Sequence, residues 1–223
     1  GVPIEMDASL FAKLMPKGVT LVGVTGTRGK STVTALIYDI LQGPTLFGKK
    51  VGPCRIYKGG NLVQEAALPL LEKVRVSDIV VLELDSWQLQ GFHDAKISPQ
   101  VAVFTTFLDD HLVYYKGDTE RYFEDKTAIF KYQKKEDTLV VGEQVPRLLS
   151  SRFDLKSGKR ANLENRLKKG RTLLIARAVD VPKDWKLPLL GEHNLENVAC
   201  AIAAARAVLK TPDVGDSKHR VSE

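Results

Sequence analysis

One stretch near the amino terminus restricts the fold more than any other. Thr20-Leu21-Val22-Gly23-Val24 is a short, β-rich apolar run that opens directly into Gly26-Thr27-Arg28-Gly29-Lys30-Ser31. Beyond the loop, Thr32, Leu36, Ile40 and Leu41 recur near helical spacing. Strand, glycine loop and helix therefore follow one another without a linker. The glycines let backbone N–H groups turn toward an anion, and the helix amino terminus adds its partial positive charge. Lys30 can reach the β and γ phosphates of a polyphosphate, and the Ser31 hydroxyl can ligate magnesium. The strict eight-residue form of this loop has Gly five positions before Gly29, where this chain has Val24. The flanking strand and helix, more than the letters, carry the assignment.

The rest of the chain repeats the alternation. Ile79-Val80-Val81-Leu82-Glu83-Leu84 and Val101-Ala102-Val103-Phe104-Thr105 are continuous apolar runs, as expected of strands covered on both faces. Thr119 to Phe130 reads as a helix, Thr138 to Val141 as a fourth strand, and Arg171 to Ile175 as an edge strand. An Ala-rich segment from Asn194 to Leu209 reads as a further helix. Between them, the Gly- and Pro-rich stretch from Gly43 to Gly60, with Val51 and Arg55-Ile56-Tyr57, suggests a hairpin. Leu62 to Val74 carries apolar residues at helical intervals. The fold class expected is α/β: a mostly parallel sheet flanked by helices, containing a phosphate loop, in one domain. Residues 19–209 form that domain, 1–18 read as a linker, and 210–223 as a loose polar tail.

Charge narrows the partners. The 223 residues carry a net +6, which by itself favours nucleic acid or an anionic surface. Nine of the 33 Lys/Arg and only two of the 27 Asp/Glu fall between Arg152 and Arg177, so the remainder is near neutral. That basic stretch holds a single aromatic, Phe153, and lacks the interleaved rings of a strand-binding patch. No nucleic-acid partner is expected. No apolar run approaches the roughly 18 residues of a spanning helix, so no membrane insertion is expected either. Cys54 and Cys200 have no second thiol or His at a ligand spacing, which fits a reduced, cytoplasmic chain. The start, Gly1-Val2-Pro3, has neither Met nor a signal-peptide pattern and reads as trimmed.

Carboxylates and amides stand where the strands end. Glu83 closes the second apolar strand, and Asp85 follows two residues later. Ligands of open parallel sheets bind at this edge, and phosphate-bound magnesium takes one or two carboxylates. Asp85-Ser86 is equally suited to cap a helix over Trp87-Gln88-Leu89, which leaves Glu83 the better metal candidate. Asp109-Asp110-His111 follows the third strand at the same edge. Asn194 and Asn197 are one helical turn apart, so both amides can face a purine edge, although Asn194 also suits an N-cap. Lys126, on pattern alone, is an ordinary exposed helix lysine.

Taken together, these motifs resemble the ATP-binding central domain of the Mur ligases. The matching landmarks, in the family's order, are Gly26 to Thr32, Gly59-Gly60-Asn61, Glu83-Leu84-Asp85-Ser86-Trp87-Gln88-Leu89, Asp110-His111, the Lys126 helix and Gly191 to Asn197. The Glu83 segment looks most like the family's D-glutamate-adding branch, which acts on UDP-N-acetylmuramoyl-L-alanine. The resemblance implies ATP and two magnesium ions as cofactors. Gly26, Thr27, Arg28, Gly29, Lys30, Ser31 and Thr32 would hold the phosphates, and Asn194 and Asn197 would approach adenine. Lys30, Glu83, His111 and Lys126 would be the catalytic set. Ser31 and Glu83 would bind the first metal; His111 and a carbamylated Lys126 would bind the second. Asn61 would meet the UDP-muramoyl substrate. The implied reaction transfers the ATP γ-phosphoryl group to a carboxylate, and an amine then attacks the acyl phosphate to form an amide.

Asp85 replaces a Ser of the branch pattern, and Thr106-Phe107-Leu108-Asp109 replaces the usual Asn-Val-Thr-Glu. Family members also carry an amino-terminal domain for the UDP-sugar and a carboxyl-terminal domain that completes the ATP site. This chain is expected to correspond to the central domain alone, monomeric and inactive without the others. Two other readings share features with it. A folylpolyglutamate synthase has the same domain plan and chemistry, and a non-catalytic nucleotide-responsive module would bind a partner through residues 152–177.

Overall fold

Short runs of Val, Ile and Leu that are apolar on both faces pair best as parallel strands with helices packed above and below. The computed structural model describes residues 4–43, 53–62, 66–108, 110, 113–146, 172–183, 185, 187 and 191–210. Helix α1 (Asp7–Leu14) precedes β1 (Thr20–Thr25), α2 (Lys30–Gln42) and β2 (Ile56–Gly60). A 3₁₀ turn at Leu68–Glu72 leads into β3 (Ile79–Glu83), α3 (Ser86–Ala95), β4 (Val101–Phe104) and α4 (Thr119–Lys131). Then come β5 (Thr138–Gly142), β6 (Thr172–Ala176), a 3₁₀ turn at Ala178–Asp180, and α5 (Glu192–Lys210). Among the described residues six strands pair in the order β2-β3-β1-β4-β5-β6, and each of their ladders is parallel. All six therefore end at the same edge. β1 lies between β3 and β4, the place where an open α/β sheet leaves a crevice.

The alternation of side chains along each strand divides the core in two. Leu21, Val80, Leu82, Ala102, Phe104, Leu139 and Val141 face α1, α3 and α4. Val22, Val24, Ile79, Val81, Val101, Val103 and Val140 face α2 and α5. Glu83 has the strand parity of Ile79 and Val81, so it lies on the α2 side, while Thr25 has the parity of Leu21 and lies on the α4 side.

Four expectations from sequence change here. The stretch read as a linker over 1–18 contains α1, whose Ala8 and Phe11 are fully buried against α3 and the Leu68–Glu72 turn. Phe11→Ala is expected to lower unfolding free energy by about 3–5 kcal/mol in a urea titration, as for other buried aromatics; a detached linker would give almost no change. Second, Ile56–Gly60 is no hairpin arm: it pairs parallel with β3 from Ile56↔Ile79 to Gly60↔Glu83. A local pattern cannot show that the better partner lies a crossover away. Val51 lies outside the described residues. Third, among the described residues of 62–74 the helical spacing yields only the five-residue 3₁₀ turn, with Pro69 in its first turn, where its ring bars a helix from reaching back toward residue 62. Residues 63–65 lie outside the described residues. Fourth, α5 begins at Glu192, so Asn194 sits inside the first turn and is not its N-cap. The Asn194 N–H donates to the Gly191 carbonyl at 3.1 Å. Most of the basic stretch and the tail after Lys210 fall outside the described residues.

Candidate functional site

The loop after β1 is held from three sides at the strand ends. Gly26 has φ of +148°, and a Cβ there would stand 2.0 Å from Thr105 Oγ1, so only glycine fits. The Thr27 N–H donates to the Thr106 carbonyl at 2.8 Å, and the Leu108 N–H donates to Thr27 Oγ1 at 3.0 Å. Around Arg28, the backbone N–H donates to Thr106 Oγ1 at 2.9 Å, while the Thr105 hydroxyl donates to its carbonyl at 2.6 Å. Gly29, with φ of +83°, occupies the N-cap of α2. A Cβ on Gly29 would meet Asn197 Oδ1 at 2.2 Å, so α5 packs directly on the loop. Lys30 Nζ makes a long 3.3 Å bond to the Thr27 carbonyl. Ser31 is exposed and Thr32 half-buried in the first turn of α2.

Beside this loop lies Lys126, which pattern alone makes an exposed helix lysine and which is in fact 2% exposed. Its Nζ donates to the Gly26 carbonyl at 3.0 Å and to Thr25 Oγ1 at 3.4 Å. The amine also sits 4.9 Å from the Tyr122 ring centroid, and the Tyr122 hydroxyl is 3.2 Å from Thr27 Oγ1. One tyrosine thus touches both the loop and the lysine. Burial, and then the charge of Lys30, lower the Lys126 pKa to about 7, against the opposing pull of Asp85, Asp110 and Asp125. Asp125 is itself held by Gln90 Nε2 at 2.7 Å and by the Tyr115 hydroxyl at 2.9 Å. Burial pushes the Tyr115 pKa upward, so this hydroxyl stays a donor.

Glu83 is 3% exposed, and its Oε2 is buried without a hydrogen-bond partner among the described residues. A buried carboxylate oxygen of this kind is costly unless a cation meets it. Asp85 takes the other role open to it. Its carboxylate accepts the Gln88 N–H at 2.7 Å, and the Gln88 side chain answers at the Asp85 N–H, which closes a capping box on α3. Among the described residues no three His, Cys, Asp or Glu side chains cluster around a point. A magnesium ion at Glu83 would therefore take most of its oxygen shell from phosphate and water, with the exposed Ser31 hydroxyl of the first turn of α2 as the further protein oxygen. Asn61 follows β2, and its N–H donates to the Glu83 carbonyl at 2.9 Å, on the side of Glu83 away from α5. His111 and Asp109 lie outside the described residues.

Above the loop, an open cleft of about 650 Å³ is lined by Arg28, Gly29, Thr32, Thr106, Gln144, His193, Asn194 and Asn197, among others. The Asn197 amide donates to Asn194 Oδ1 at 3.1 Å, so the two side chains form one polar wall. The structure thus joins Gly26, Thr27, Arg28, Gly29, Lys30 and Lys126 through direct contacts and brings Asn194 and Asn197 to the same loop. Sequence reasoning missed Gln144, His193, Thr105, Thr106 and Tyr122. The spacing of Tyr122 and Lys126, four residues apart on one helix, was the available signal for the last of them. No helix of the described residues is long and apolar enough to cross a membrane.

Residues 24–205 match the family described as Mur ligase middle domain. The chain is 31% identical over 207 residues to UDP-N-acetylmuramoylalanine--D-glutamate ligase of Chlorobium phaeobacteroides, covering 84% of this chain and 43% of that protein. The enzyme of the same name from Clostridium kluyveri is 34% identical over 215 residues, 92% of this chain and 43% of the relative. This chain thus spans less than half the length of these curated relatives. Among solved structures, MurF ligase from Thermotoga maritima in complex with ADP superposes with a TM-score of 0.60 at 22% identity, over 93% of this chain and 49% of that one. E. coli FolC in complex with DHPP and ADP gives 0.56 at 17%, over 91% and 56%. At such identities the likeness is one of fold.

Proposed function

The chain belongs to the Mur ligase family through its middle domain, and from that premise we propose that it is the ATP- and magnesium-binding unit of a cytoplasmic ligase that joins D-glutamate to UDP-N-acetylmuramoyl-L-alanine. The observation that carries this reading is the meeting of the glycine loop with buried Lys126 at the sheet edge that also holds the unpartnered Glu83 oxygen. The fold alone is shared with FolC, so the choice of D-glutamate rests on the curated relatives at 31% and 34% identity.

Each residue has a task in that reaction. Loop N–H groups and Lys30 hold the polyphosphate, with the base against Asn194 and Asn197. Glu83 and Ser31 would hold magnesium, which when bound withdraws charge from the phosphoryl oxygens and lets two anions approach. The substrate carboxylate then accepts the γ-phosphoryl group and ADP leaves. Attack by the amine on the acyl phosphate expels phosphate and forms the amide. Lys126 is suited to react with CO₂: a neutral amine forms the N–C bond, one proton departs, and the product carries an anion and a single N–H. That remaining N–H can keep the bond to the Gly26 carbonyl and so aim the new carboxylate. The second metal, with His111 as its other ligand, comes from the family resemblance. Asn61 beside Glu83 is assigned to the UDP-muramoyl substrate on the same ground.

Glu83→Gln tests the metal assignment. In calorimetric titrations, magnesium is expected to tighten ADP binding to the wild-type chain about tenfold or more, a charge-assisted gain of the usual size. The variant should bind ADP equally with and without magnesium, close to the wild-type metal-free affinity. Retention of the full magnesium effect would remove Glu83 from the site.

A further inference from the structure

Arg28 is the one loop residue whose backbone is pinned while its side chain extends into the cleft. Its N–H and carbonyl are bonded to Thr106 Oγ1 at 2.9 Å and Thr105 Oγ1 at 2.6 Å, so the Cα–Cβ direction is set by the end of β4. The side chain itself is 76% exposed, and its Nη2 stands 3.8 Å from Asp110 Oδ2. An exposed pair at that separation is held weakly and exchanges readily for a better anion. The position of the guanidinium is informative. It borders the nucleotide cleft with Gly29 and Thr32. Its Asp110 partner acts electrostatically on Lys126 and on Tyr122. Arg28 thus borders the cleft while paired with an acid whose charge also reaches Lys126 and Tyr122.

We propose that Arg28 exchanges Asp110 for the terminal phosphate of the bound nucleotide and so lets the site distinguish a triphosphate from a diphosphate. This rests on the nucleotide reading above and deepens it. A guanidinium offers planar, paired donors that match phosphate oxygens, which the point charge of Lys30 does not. Lys30 is the first residue of α2 and holds the phosphates at the helix terminus; Arg28, two residues earlier and exposed, adds a second cation for the phosphoryl group that departs. After transfer, the lost phosphate leaves Arg28 to return to Asp110, so that ADP is held less tightly than ATP.

The test compares the β,γ-methylene analogue of ATP with ADP, each with magnesium, by calorimetry on the full chain. Arg28→Gln is expected to weaken the triphosphate analogue tenfold or more and ADP less than threefold. Arg28→Lys should recover part of the triphosphate affinity, since it keeps the charge and loses the fork. Melting without nucleotide should match wild type for both variants, because the side chain is exposed. Equal losses for both nucleotides, or no loss for either, would overturn the proposal while leaving nucleotide binding intact. Failure of the wild-type chain to bind either nucleotide would bring down the underlying reading with it.

Discussion

On the proposed function, replacing Lys126 by alanine is expected to lower ligase turnover about 10²–10³-fold, the usual cost of removing an oriented electrostatic group from a reaction centre. Nucleotide binding should change far less, because the bonds of Lys126 go to Gly26 and Thr25 on its own side of the loop. The pH dependence carries the sign of the shift. With a folded pKa lowered to about 7, the amine is mostly protonated below pH 6 and mostly neutral above pH 8. Only the neutral form reacts with CO₂, so turnover should rise through that window and respond to added bicarbonate. A carbon-13 signal from labelled bicarbonate should appear on wild type and be missing from Lys126→Ala. Stability follows the same proton. Between pH 7 and the ordinary lysine value of 10.5, the unfolded chain binds a proton that the native chain does not. Native stability therefore rises with pH across that range, by at most about 1.4 kcal/mol per unit. Lys126→Met should flatten that slope. A full-activity alanine variant would end the catalytic assignment.

Lys30→Ala is expected to be the most damaging change to nucleotide binding. The Lys30 amine has a single long bond, to the Thr27 carbonyl, so truncation costs the apo protein little. Toward a polyphosphate the same amine makes charge-assisted bonds worth roughly 1.5–3 kcal/mol each. Affinity should fall about 10- to 100-fold, with the melting temperature of the free protein unchanged. Lys30 is also the second cause, after burial, of the lowered Lys126 pKa. Its removal should let Lys126 hold its proton to higher pH, so the two lysines are coupled through the loop.

How far these features could be read without coordinates differs from residue to residue. The strand, loop and helix around Gly26 to Ser31 were legible because each piece is local and they are contiguous. The strand-end place of Glu83 and the Asp85 cap were legible for the same reason, since both are set by the apolar run they follow. Local pattern makes Lys126 an exposed lysine, because Glu124-Asp125-Lys126 looks like a solvated face, and only the family resemblance singles it out. The helical period held the answer: Tyr122, Phe123, Lys126 and Phe130 share the buried stripe of α4. Helix α1 is hidden in a short, mixed stretch ahead of the first strand, although Phe11, Leu14 and Met15 recur at helical spacing. Thr105, Thr106, Gln144 and His193 were out of reach. Their part in the cleft depends on β4, β5 and α5 ending beside β1, which is a property of strand order and of no single segment.

On the proposed function, the cleft above the β1 loop binds a nucleoside triphosphate with magnesium. Thermal unfolding of the wild-type chain with a millimolar ATP analogue and magnesium tests it most directly. At about 100 times the dissociation constant, binding adds about 2.7 kcal/mol, which for a domain of this size raises the midpoint by roughly 5–10 °C. That rise is expected in wild type and its loss in Lys30→Ala. An unchanged wild-type midpoint at millimolar nucleotide would contradict it.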